Sequence, residues 1–95
     1  MPITRQQFDL GIDANVEALM RQLVAFLEAR KEEAFSNREL WEEHFGSSVS
    51  KPEDRARFSY TLQKLVDHGV VHEREVAAVN YYSIGSVRLT EVLKA

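Results

Sequence analysis

The chain contains no cysteine, which excludes disulfides, zinc-thiolate sites and thiol nucleophiles and leaves the fold to stand on packing. No apolar run approaches the roughly 18 residues needed to span a bilayer, and Met1-Pro2-Ile3-Thr4-Arg5-Gln6-Gln7 lacks the apolar core of a signal peptide. A soluble cytoplasmic protein with no membrane partner is the expectation. There is no internal repeat, linker or low-complexity segment, no Gly-rich phosphate loop and no nucleophile-base-orienter arrangement. His68 and His72 are four apart, but Gly69 interrupts any helix between them, so they do not share a metal-binding face. These absences describe a non-enzyme with neither metal nor cofactor. Positive charge is also short. A formal net charge of −3 argues against a chain that clings to nucleic acid over its whole surface, so any such binding has to come from a local patch.

What is present suits a single domain: 95 residues, 44% of them hydrophobic, are enough to bury one core. Residues 1–12 show no sustained periodicity, and Phe8, Leu10 and Ile12 alternate as a short extended piece does. From Asp13 as N-cap, Val16, Leu19, Met20, Leu23, Val24, Phe26 and Leu27 recur at helical spacing to about Lys31, with Arg30 and Lys31 at the negative end of the helix dipole. Ser36 and Glu39 form a capping box, with Phe35 and Leu40 as a hydrophobic staple, for a shorter helix that stops at Gly46. Trp41 and Phe45 either pack that helix onto the first or stand out as anchors for a partner.

The central stretch is Ser50 to Gly69. Ser50 and Glu53 make a second capping box, Pro52 lies in the first turn where a missing N–H costs nothing, and Gly69 ends the helix. Phe58, Leu62, Leu65 and Val66 share one face; Glu53, Ala56, Arg57, Tyr60, Gln63, Lys64 and Asp67 take the other. Beyond Gly69, Val70–Val76 and Val79–Ile84 read as the strands of a hairpin. Ala77-Ala78 offers neither Gly nor Asn for a two-residue turn, so a longer loop or a one-residue register slip is expected. Residues 86–95 read as a final short helix or a docked tail outside a core of about 13–85, and a dimer surface is expected from residues 85–95, from the helix that starts at Asp13, or from both.

This order of helix, short helix, longer helix ending Leu65-Val66-Asp67-His68-Gly69, then Val70-Val71-His72-Glu73-Arg74 returning through Tyr81-Tyr82-Ser83-Ile84, resembles winged helix-turn-helix domains of small bacterial and archaeal transcriptional regulators. The resemblance implies an α+β fold of three core helices with a C-terminal β-hairpin wing. It also implies that the helix from Ser50 is the recognition helix, lying in the major groove of double-stranded DNA.

The charges agree with that placement. Residues 49–64 hold Lys51, Arg55, Arg57 and Lys64 against Glu53 and Asp54, whereas residues 28–45 hold three cations against six carboxylates. Arg57 and Gln63 can contact base edges bidentately, and Tyr60 and Lys64 can reach phosphates; Ser48, Ser50 and Lys51 at the helix entrance offer hydroxyl, ammonium and helix-terminus N–H groups. Few phosphate contacts per copy favour a homodimer on a palindromic site. The rival reading is a winged-helix module for protein–protein interaction or oligomerisation without DNA, for which the acidic balance and the cation-free hairpin tip speak.

Overall fold

The computed structural model describes residues 2–45 and 52–94. In chain order these form α1 (Arg5–Leu10), α2 (Ala14–Ala29), β1 (Phe35–Ser36), α3, α4 (Pro52–Asp67), β2 (Val71–Val76), β3 (Val79–Ile84) and α5 (Leu89–Lys94). Helix α3 is one α-helical turn, Asn37–Glu39, that continues as the π-helical Leu40–Phe45. The strands make a three-stranded antiparallel sheet in the order β1-β3-β2. Among the described residues no helix is long and apolar enough to cross a membrane.

Helix α2 starts as its sequence directs, with the Asp13 carboxylate accepting from Val16 N–H at 2.8 Å. It buries Val16, Met20, Leu23, Val24 and Leu27. It stops at Ala29, short of Lys31, because Arg30 leaves the helix to become its cap. The Arg30 guanidinium then lies 4.0 Å over the Phe26 ring and donates to the Phe26 carbonyl, so a cation still serves the helix end.

The Ser36–Glu39 capping box is reciprocal, with bonds of 3.1 and 2.9 Å. Trp41 packs edge-on against Phe58 of α4 at 5.4 Å, while Phe45 touches both Phe58 and Phe26 of α2. Helix α3 is thus wedged between the two long helices. The second capping box, through Ser50, and the stop at Gly46 lie outside the described residues.

Helix α4 buries Phe58, Thr61, Leu62 and Leu65 against α2, and Val66 is half-buried at the edge of that stripe. Thr61 is inside because its hydroxyl is satisfied locally, donating to the Arg57 carbonyl at 2.7 Å. At the far end Gly69 has φ of +78°, and Gly69 and Val70 donate back to Val66 and Leu65, a Schellman turn that launches β2. Gly85 then closes on this junction. Its N–H donates to the Val70 carbonyl at 2.7 Å, and a Cβ there would overlap the backbone of Gly69 and Val70. The chain after Gly85 forms the short helix α5, whose Leu89 enters the core, with Val87, Val92 and Leu93 partly buried beside it.

Three features depart from the expectations. Residues 5–10 are helical, not extended: Thr4 and Gln7 form a capping box, with both bonds at 3.0 Å, and Gly11 caps the other end. Phe35–Ser36 pairs with Tyr82 and Tyr81 as an edge strand too short to leave a periodic signal. The hairpin has no long loop or slipped register. Val76 pairs with Val79, so Ala77-Ala78 is a two-residue turn with φ of 53° and 66°. The right-handed twist of the strands selects this primed turn, and two alanines absorb left-handed strain of about 1 kcal/mol each. Replacing Ala77-Ala78 by Asn-Gly is therefore expected to stabilise the protein by about 1 kcal/mol, read as a higher urea midpoint with unchanged slope. Loss of stability would mean that the turn is held by something other than strand register.

Candidate nucleic-acid interface

With its apolar stripe fixed on α2, α4 turns Ala56, Tyr60, Gln63 and Asp67 away from the core; at about 100° per residue, Arg57 and Lys64 fall on one flank and Arg55 and Ser59 on the other. The two flanks have different surroundings. On the first, the Tyr60 hydroxyl donates to the Gly11 carbonyl and the Lys64 ammonium lies 5.4 Å over the Tyr60 ring. Arg57 pairs with Asp54 at 3.1 Å. This flank faces the N-terminal segment, and both Arg57 and Lys64 are half-buried. On the second, Arg55, Ser59 and Gln63 are exposed; Arg55 extends over Trp41 at 5.8 Å, and the Gln63 amide donates to Asp67 at 2.9 Å.

The candidates are thus divided by the fold. Arg57, Tyr60 and Lys64 come together, with Tyr60 acting as a tether for the chain before α2 and not as a free reader of a partner. Arg55 and Gln63 form the open flank, beside α3. Ser48, Ser50 and Lys51 lie outside the described residues. A partly exposed ion pair or side-chain bond of this kind contributes about 0–1 kcal/mol, so Arg57–Asp54 and Gln63–Asp67 can be exchanged for a partner at little cost.

The hairpin overhangs the body, and every residue from His72 to Asn80 is exposed. Its register puts Arg74 opposite Tyr81 on the solvent side and Glu73 opposite Tyr82 on the core side. Arg74 is thereby a further exposed cation that could face a partner, and the period-two alternation of β2 against β3 is the signal that marks it. Val76 and Val79, at 52% and 42% exposure, make the tip apolar.

Tyr82 is the central strand's anchor, flanked by Phe35 and Glu73. Burial, then the hydrogen bond to the Glu73 carboxylate and its charge, push its hydroxyl from 10.0 up to about 12. No protein family, curated protein or solved structure matches the chain.

The raised Tyr82 value has a direct consequence for stability. The folded chain holds the neutral phenol, so this contribution is complete below pH 10 and is lost as pH rises from 10 toward 12, where the unfolded chain ionises first. Chemical unfolding across that window is expected to show the decline, and Tyr82→Phe is expected to flatten it. A wild-type tyrosinate titration with no component near 12 would contradict the assignment.

Proposed function

We propose that the chain is a winged helix-turn-helix domain that binds double-stranded DNA as a transcriptional regulator, with α4 in the major groove and the β2–β3 hairpin as a wing beside it. One observation carries this reading: α4 is locked to the core by one face while its open flank, with Arg55, Ser59 and Gln63, and the two-stranded ribbon from His72 to Asn80 are both exposed. A helix of this kind fits the major groove, and a ribbon can follow the adjacent backbone. In this reading Gln63 contacts a base edge, Arg55 a phosphate or guanine, and Arg74 the backbone beside the wing. Few cations per copy mean few phosphate contacts, so a homodimer on a palindromic site is part of the proposal.

A second reading, protein–protein interaction without DNA, draws on the exposed Val76 and Val79 at the tip of the wing, where a groove-reading wing ordinarily carries Arg or Lys.

Titration of labelled duplexes at several salt concentrations separates the two. Arg55→Ala is expected to weaken binding to all duplexes and reduce the salt slope by about one unit per copy, whereas Gln63→Ala is expected to cost about 1–3 kcal/mol on the preferred sequence and relax discrimination there. Arg57→Ala, on the covered flank, should matter least. A wild type without duplex affinity at about 50 mM salt, where electrostatic binding is strongest, would overturn the DNA reading.

A further inference from the structure

A cleft of about 830 Å³ lies between α2 and the chain from Ile84 to Thr90. That volume is ordinary for a small-molecule site. Its interior is aliphatic: Val24 and Leu89 are buried there, and Ile84 and Val87 half-buried. Its rim is cationic. Arg21 of α2, Lys31 just beyond the end of α2 and Arg88 just before α5 line it, all three exposed, against the single carboxylate of Glu28. Three cations to one carboxylate therefore gather at one place on a chain whose formal net charge is −3.

Two of these cations have no structural task. Among the described residues neither Lys31 nor Arg88 takes part in an ion pair or a side-chain hydrogen bond. The end of α2 is already served by Arg30, whose guanidinium donates to the Phe26 carbonyl. Arg88 works against α5: its carbonyl accepts from the Glu91 and Val92 N–H groups, which sets it at the positive end of that helix, where a carboxylate and not a guanidinium stabilises. Residues that break a local rule without a compensating structural gain point to a site. Arg21 is held only by Glu17, in an exposed i,i+4 pair at 3.2 Å that a ligand can displace.

We infer that the cleft binds a small aliphatic carboxylate, with its chain on Val24, Ile84 and Leu89 and its carboxylate held by Arg88 and Lys31. A guanidinium takes a planar carboxylate through two parallel N–H bonds. Glu28 at the rim opposes a phosphate dianion more than a carboxylate monoanion, because the repulsion scales with the ligand's charge. The site shares no residue with α4 or with the exposed hairpin from His72 to Asn80, so it does not depend on the DNA reading.

Titration of the isotope-labelled full chain with octanoate, without DNA and followed by NMR, is the test. Saturable binding in the millimolar range is expected, with amide shifts concentrated at Ala25, Ile84 and Val87 to Thr90. Lys31→Gln together with Arg88→Gln is expected to weaken binding by at least about tenfold, as loss of charge-assisted contacts does. Glu28→Gln is expected to tighten it. All three side chains are exposed, so circular dichroism and the melting midpoint should stay unchanged in these variants. Octylammonium, the same chain with the opposite charge, is expected not to bind, and inorganic phosphate, a charge without the chain, to bind more weakly than octanoate. No saturable octanoate binding, equal binding of octylammonium or phosphate, or an octanoate affinity untouched by the Lys31 and Arg88 substitutions would each overturn the proposal.

Discussion

Phe58, Leu62 and Leu65, sealed from solvent on one side of α4, meet the stripe of Met20, Leu23 and Leu27 on α2, and every other part of the molecule is positioned from that contact. Each fully buried side chain of this size contributes about 1.5–3 kcal/mol, far more than any polar contact at the surface. Once the stripe is seated, the rotation of α4 is decided. Trp41 closes on Phe58 from α3, the Schellman turn at Gly69 directs β2 outward, and Tyr60 reaches the Gly11 carbonyl. A slip of α4 by one residue would expose an apolar side chain and turn the open flank toward α2.

The same rotation gives α4 two unequal flanks. The chain is acidic overall, so in the proposed reading α4 would bind DNA not through bulk attraction but through the few cations its surroundings leave exposed. Arg57 and Lys64 are drawn into contacts toward the N-terminal segment, while Arg55 and Gln63 stay at the surface. The flank that faces the N-terminal segment and the open flank with Arg55 and Gln63 thus lie to either side of the outward face of α4.

Much of this was legible in the residues. Helices with a sustained apolar stripe and one sharply specified end, α2 from its Asp13 cap and α4 to its Gly69 turn, appear where their periodicity puts them, because burial and capping act together there. The failures have local causes. Thr4 and Gln7 cap a helix that sets Leu10 alone of its apolar residues against the core, so hydrophobic periodicity had little to detect. Ala77-Ala78 takes positive φ because strand twist and the Val76–Val79 pairing outweigh a penalty of about 1 kcal/mol per residue. For the interface, the sequence identified the outward face of α4 but not its division. Whether Tyr60 is free or tethered depends on Gly11, forty-nine positions away, and no pattern along the helix encodes that.

The central claim is that the open flank of α4 and the hairpin beside it form one continuous contact surface for duplex DNA. Backbone amide shifts of the isotope-labelled full chain, followed by NMR as a duplex is added at low salt, test it most directly. The account predicts perturbations concentrated at Arg55, Ser59, Gln63 and along β2 from His72 to Val76, with α5 and the outer face of α2 unmoved. Perturbations confined to the α2–α5 side, or none at saturating duplex, would contradict it.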